Sequence, residues 1–202
     1  MDVGCGTGEL AAALARDHGA RVWAVDPSEE MLAVARAKAP QGVGFKLARA
    51  EELPFKDGWF ERAVLSLVVH LVERARAFAE ARRVLGPEGR LAIATFDPAH
   101  FAGYWLNDLF PSLEAIDRAR FPSGEELADE LGRAGFADVR LVRLGQRATI
   151  EREAALERIR GRHISTFQLL AEEEYAAGLE RAERELPDRI EYPTEHLLAF
   201  AR

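Results

Sequence analysis

The sequence predicts an α/β fold in which a mostly parallel sheet is covered by helices, and three observations carry that expectation. Short apolar runs alternate with helical patterns over the first two thirds of the chain. A glycine-rich run, Gly4-Cys5-Gly6-Thr7-Gly8, stands between a strand stub and a helix. An acidic residue, Asp26, closes the following strand eighteen residues past Gly8.

Taken in order, Met1-Asp2-Val3 reads as the strand stub that ends at the glycine loop. Residues 9–17 are rich in Ala and Leu, strong helix formers, and His18-Gly19 supplies the stop. Residues 21–25 form a second strand ending at Asp26. Ser28 then caps a helix that carries Met31, Leu32 and Ala35 on one face and closes before Pro40. Residues 44–48 read as a third strand, Glu51-Glu52-Leu53-Pro54-Phe55 as a loop, and residues 60–67 as a fourth strand apolar enough for mid-sheet.

An amphipathic helix follows over 74–85, and Gly86-Pro87-Glu88-Gly89 turns the chain into a fifth strand, 90–95. Asp97-Pro98 opens a less regular stretch. Ser123, with Glu126 three residues on, makes a capping box for a helix to residue 134, and 136–144 is a sixth strand. Helices are expected over 150–160 and 172–186, and a closing strand over 195–202. With no linker or repeat, residues 1–202 are expected to form a single domain. The helical segment at about 150–188 reads as an insertion ahead of the last strand.

Composition narrows the function. The 202 residues are 48% hydrophobic and 30% charged, enough for a substantial core. A net charge of -7 without any dense Lys/Arg run argues against a nucleic-acid partner. The longest apolar stretch, 63–69, is too short to span a bilayer, and the start lacks the basic-then-apolar pattern of a secretory signal. A single cysteine, Cys5, excludes an internal disulfide, so a reducing, cytoplasmic location is expected.

Glycines in such a loop adopt dihedral angles other residues resist and bring the backbone close to a ligand, while the next helix directs N–H groups at it. A carboxylate at Asp26 can accept bonds from both hydroxyls of an adenosine ribose. Gly6-Thr7-Gly8-Glu9-Leu10-Ala11 also satisfies the looser dinucleotide pattern. The alternating Gly4, Gly6 and Gly8, with Asp2 just ahead of them, instead favour a cationic sulfonium ligand over a pyrophosphate.

Asp2 to Gly8, Asp26-Pro27-Ser28 with Met31-Leu32, Ala50 to Phe55 and Arg83 to Leu91 together resemble the small-molecule class I methyltransferases. The branch they most resemble includes the ubiquinone and menaquinone biosynthesis enzymes. The resemblance implies a Rossmann-like three-layer sandwich with a seven-stranded, mostly parallel sheet whose last strand is antiparallel. It implies S-adenosylmethionine as cofactor and S-adenosylhomocysteine as product. Asp2 and the loop Gly4, Cys5, Gly6 and Gly8 would hold the methionine portion, Asp26 the ribose, and Met31 the adenine face. Ala50 and Glu51 would lie at the adenine edge, and Ser66 to His70 beside the transferable methyl.

Two departures from the family stand out. Relatives usually carry an aspartate where this chain has Arg49, and a donor-only guanidinium cannot accept the adenine amino group, leaving Glu51 or the Ala50 backbone to do so. Relatives also carry an N-terminal helix and the first half of the central strand. The first strand is therefore expected to be truncated, with unpaired edges and weakened cofactor binding.

His70 is the candidate general base, needed only if the acceptor loses a proton; a packing or helix-start histidine is the competing reading. His100, His163 and His196 lack metal-ligand spacing, so no metal is expected. Tyr104, Trp105, Phe110, Phe121, Phe167, Leu169 and Tyr175 line an acceptor pocket or form a satellite core. The leading expectation is methyl transfer to an O, N or C atom of a small organic acceptor. Two alternatives stay open: a methyltransferase-like protein that binds cofactor poorly and acts through interactions, and an NAD-dependent oxidoreductase. The sequence allows a homodimer and fixes no oligomeric state.

Overall fold

The computed structural model describes all 202 residues. Its elements are β1 (Asp2–Val3), α1 (Glu9–His18), β2 (Val22–Asp26), α2 (Glu29–Lys38), β3 (Val43–Leu47), β4 (Phe60–Ser66), α3 (Arg74–Val84) and β5 (Leu85–Phe96). There follow α4 (Leu113–Arg120), α5 (Gly124–Arg133), β6 (Arg140–Glu151), α6 (Arg152–Arg160), α7 (Glu172–Glu185) and β7 (Arg189–Ala201). The seven strands form one sheet in the order β3-β2-β1-β4-β5-β7-β6.

β1 pairs in parallel with β2 and β4, β2 with β3, and β4 with β5. β7 runs against β6: Ala137 and Arg202 exchange backbone bonds at one end, and Arg152 N–H reaches Asp188 O at the other. This is the expected α/β architecture with its antiparallel last strand. The order reverses between β1 and β4, so the carboxyl ends of those two strands flank a topological switch point. Ligands of open α/β sheets bind in that crevice.

The chain divides into two compact units. The first comprises Met1–Thr95, Ser123–Val142 and Leu197–Arg202. Its main core runs through Val3, Val25, Leu65, Leu91 and Ile93 on one face of the sheet, with Phe78 of α3 and Leu127 and Leu131 of α5. The local signals behave as the sequence predicts. Gly19 takes the left-handed C-cap of α1, and Ser28 Oγ accepts from Met31 N–H to start α2. Ser123 and Glu126 close a reciprocal capping box on α5. A two-pronged Arg74–Glu130 ion pair, at 2.6 and 2.7 Å, ties α5 to α3.

Arg83 on α3 organises the segment between β3 and β4. It donates to Leu53 O at 2.9 Å, to Phe55 O at 2.8 Å and to the carboxylates of Asp57 and Glu80. Glu80 in turn accepts from Leu53 N–H at 2.7 Å. An Arg83→Ala variant leaves these carbonyls without a charged donor, and we expect it to lose about 2 kcal/mol in urea unfolding.

The second unit comprises Phe96–Pro122 and Arg143–His196. It has its own core, in which Leu106, Phe110, Leu113, Ile159 and Phe167 are fully enclosed. Asp117 is buried there, accepting from Thr166 Oγ1 and facing Arg120 at 3.5 Å; burial pushes its carboxyl above the usual range.

Several bounds differ from the sequence reading. β5 begins at Leu85, because Leu85 already pairs with Phe60 and the expected turn at 86–89 bulges out before Arg90 pairs with Arg62. β6 starts at Arg140 rather than at Phe136, whose ring belongs to the core and precedes a left-handed turn at Asp138. β7 starts six residues earlier than expected, at Arg189 rather than 195. Helix α4 and the 3-10 turns Pro98–Gly103 and Ser165–Gln168 were not expected.

Candidate functional site

The glycine loop follows β1 directly and lies at the switch point. Gly4 and Cys5 both donate to Val25 O, at 2.8 and 3.0 Å, so the loop is stitched to the end of β2. Gly8 donates to Cys5 O at 2.8 Å and caps α1. Gly4, Gly6 and Gly8 all take left-handed backbone, with φ of 71°, 53° and 79°.

What each glycine faces differs. A Cβ on Gly4 would stand 2.4 Å from a Val68 methyl, and one on Gly8 would stand 2.9 Å from Ala35 Cβ. Around Gly6 nothing lies within 4 Å. Gly4 and Gly8 therefore serve close packing beneath the loop, whereas Gly6 borders open space.

Asp26 is joined to that loop. Its Oδ2 accepts from Gly6 N–H at 2.8 Å and its Oδ1 from Ser28 N–H at 2.9 Å. Two backbone donors fix the carboxylate and leave lone pairs on both oxygens for further donors. The loop and Asp26, read from the sequence as partners, are in direct contact.

Asp2 lies below the loop, 1% exposed, with Oδ2 lacking any hydrogen-bond partner. Desolvation raises its pKa to about 6, with Asp26 adding repulsion and the chain amino group and Ala11 N–H pulling the other way. A buried carboxylate oxygen without a donor fits a missing cationic partner.

The sign of the linkage follows from a folded value near 6 against 3.8. Asp2 supports folding fully below pH 3.8, and that support is lost as pH rises through about 6. We expect Asp2→Asn to be more stable than the parent at pH 7 by about 2 kcal/mol, and the gap to close by pH 4, in urea titrations across that range.

Burial, with Asp2 and Asp26 nearby, drives the Cys5 thiol up to about 12, so it is protonated at neutral pH and is not a nucleophile. Met31 sits in the first turn of α2 and is 45% exposed, an unburied apolar side chain. Ala50 is buried, and the adjacent Glu51 is already engaged. Its Oε1 accepts from Glu73 N–H at 2.8 Å, and its Oε2 lies 3.4 Å from Arg49 Nε. The backbone bond to Glu73 and the arginine hold the Glu51 carboxyl below its ordinary value despite burial. Arg49 thus acts on Glu51.

Ser66 ends β4, opposite Ala94 of β5, and His70 follows it, half-buried. Val68 and Val69 between them are buried. The packing of Val68 under Gly4 is the contact the sequence reading missed. A bulky residue two positions past the strand end carries no signal for it without the fold. The residues named from the sequence therefore gather around one end of β1, β2 and β4. A cavity of about 1220 Å³ lies at the opposite end of these strands, lined by Leu10, Leu14, Val22, Phe60, Leu91 and Phe200, and does not belong to this site. No group of three or more His, Cys, Asp or Glu side chains is placed to hold a metal ion.

Residues 1–93 match the family described as a methyltransferase domain. The O-methyltransferase resE of Aspergillus sclerotiorum is 34% identical over 149 residues, 67% of this chain and 53% of its own. The ubiquinone/menaquinone biosynthesis C-methyltransferase UbiE of Bordetella avium is 36% identical over 102 residues, 48% of this chain and 40% of its own. The chain spans about half the length of these curated relatives. Among solved structures, a protein assigned as a methyltransferase from an antibiotic biosynthesis pathway of Anabaena variabilis superposes with a TM-score of 0.74. It is 23% identical, covering 98% of this chain and 88% of that one, and shows the shared fold.

Proposed function

Because residues 1–93 carry a methyltransferase domain on the class I fold, we propose that this protein transfers a methyl group from S-adenosylmethionine to an O, N or C atom of a small organic molecule. The observation that carries the reading is the Asp26 carboxylate. Gly6 and Ser28 fix it beside a loop whose central glycine borders open space.

The residues present fit the cofactor. Asp26 accepts the ribose hydroxyls, and Met31 covers one face of the adenine. The backbone of Ala50 and Glu51 meets its edge, since the Glu51 side chain is engaged elsewhere. Asp2, with its unpartnered oxygen, accepts from the methionine ammonium, and the loop Gly4, Cys5, Gly6 and Gly8 holds the methionine portion, with Gly6 giving the close backbone approach. Bound there, the cofactor supplies a methyl group activated by a positive sulfur, open to in-line displacement. The protein contributes chiefly positioning. Ser66 and His70 border the methyl, and His70 takes a proton from acceptors that must lose one.

In this reading the chain is one methyltransferase domain with the helical segment at about 150–188 inserted before its last strand. The protein is a cytoplasmic, small-molecule enzyme without a nucleic-acid partner, which its charge of -7 supports. No helix is long and apolar enough to cross a membrane.

Thermal unfolding with S-adenosylmethionine, S-adenosylhomocysteine or NAD, each near one hundred times a micromolar Kd, tests this. Both adenosyl sulfur compounds should raise Tm by roughly 5–10 °C, and NAD should leave it unchanged. A shift with NAD alone, or with none of the three, contradicts the proposal.

A further inference from the structure

Three non-glycine residues adopt left-handed backbone: Leu67 (φ 54°), Asp138 (φ 49°) and Arg162 (φ 49°). Aspartate tolerates that region through its short polar side chain. Arg162 is tied down by Glu172 and packs over the Tyr175 ring. Leu67 has neither reason. It is an apolar residue where glycine would be unstrained, and it gains little from burial, being 42% exposed.

The bend at Leu67 is held from both sides. Its N–H donates to Ala94 O at 2.8 Å, at the end of the neighbouring strand. Val68 and Val69 are 7% and 0% exposed, and Val68 fills the space beneath Gly4. Leu71 N–H closes the turn on Val68 O at 2.8 Å. The strain therefore serves two ends at once: the valines go in, and the leucines stay out. Leu71 is 55% exposed, and half-buried His70 lies beside it. Two solvent-facing leucines, one of them strained, follow the carboxyl end of β4 and bracket Val68, which packs beneath the glycine loop.

We propose that Leu67 and Leu71 recognise the methyl acceptor, and that the acceptor presents an alkyl or aryl portion to them. The inference rests on the function proposed above and adds the chemical class of the acceptor. A glycine at position 67 makes the same bend with less strain and without the contact, so the leucine side chain is what the site uses.

The test uses the full chain with saturating S-adenosylhomocysteine and a series of 4-alkylphenols, from methyl to hexyl, titrated by calorimetry. For the parent protein, affinity should rise about two- to fourfold with each added methylene. In the double variant Leu67→Gly/Leu71→Ser that dependence should vanish, and affinity for the hexyl member should fall at least roughly tenfold. Its affinity for S-adenosylhomocysteine should stay within about twofold, since neither side chain is assigned to the cofactor. Leu67→Gly alone should unfold no earlier than the parent, and Leu67→Met should keep the chain-length dependence. An unchanged dependence in the double variant, or none in a parent that binds S-adenosylhomocysteine, overturns the inference and leaves the methyltransferase reading intact. A parent that does not bind S-adenosylhomocysteine overturns both.

Discussion

Asp26→Ala should weaken S-adenosylhomocysteine binding by roughly 100- to 1000-fold, about 3–4 kcal/mol, in a calorimetric titration. Two effects combine. The ribose hydroxyls lose a charged acceptor, and each such bond contributes about 1.5–3 kcal/mol when its partner is otherwise left unpaired. The loop also loses its fastening, because Gly6 N–H and Ser28 N–H both end on this carboxylate. Folding should suffer less, by about 1–2 kcal/mol, since the loop keeps its bonds from Gly4 and Cys5 to Val25 O. Asp26→Asn is the informative companion. Its amide oxygen can still accept from one backbone donor, but its NH₂ group meets the other donor head-on. Affinity for the asparagine variant should therefore lie well below that of the parent. A threefold change or less in either variant contradicts the assignment of Asp26.

The second large effect separates two glycines that look alike in the sequence. At Gly4, alanine meets left-handed strain and places a methyl 2.4 and 2.9 Å from the two Val68 methyls. Strain and overpacking together should cost about 3 kcal/mol of stability. At Gly6, alanine meets the strain alone, about 1 kcal/mol, because nothing stands within 4 Å. Its methyl projects into the space the cofactor is proposed to occupy, so cofactor affinity should fall at least roughly tenfold while the fold persists. Adding Val68→Ala to Gly4→Ala should recover the overpacking part and not the strain. Urea midpoints and titrations on the three variants distinguish these outcomes. Equal stability losses at both glycines would show that Val68 does not support the loop.

Those two glycines also mark where sequence reading stops. That the loop needs left-handed residues, and that an acid should stand after the second strand, follow from local chemistry and spacing. So do the caps at Ser28, Gly19 and Ser123, which depend on residues at most five apart. What Gly4 touches depends on Val68, sixty-four positions away, and no local pattern encodes that packing. Glu51 is similar. Its acidity invites a role at the adenine edge, yet its oxygens are engaged by the Glu73 backbone and Arg49. Helix α4 is not legible in the sequence because its amphipathic face, Leu113 and Ile116 with buried Asp117, includes a carboxylate satisfied only by Thr166 and Arg120. The early start of β5 arose from pairing of Leu85 with Phe60 before the glycine-proline bulge, a tertiary choice that turn residues alone do not announce.

The central claim is that Asp26, fixed to the glycine loop, receives an adenosine ribose at the β1/β4 switch point. A crystal structure with S-adenosylhomocysteine measures it directly. The account predicts both ribose hydroxyls about 2.6–3.0 Å from the Asp26 carboxylate, with the sulfur end over Gly6. Density for the ligand in the cavity at the opposite ends of the strands, with Asp26 bonded only to Gly6 and Ser28, would contradict it.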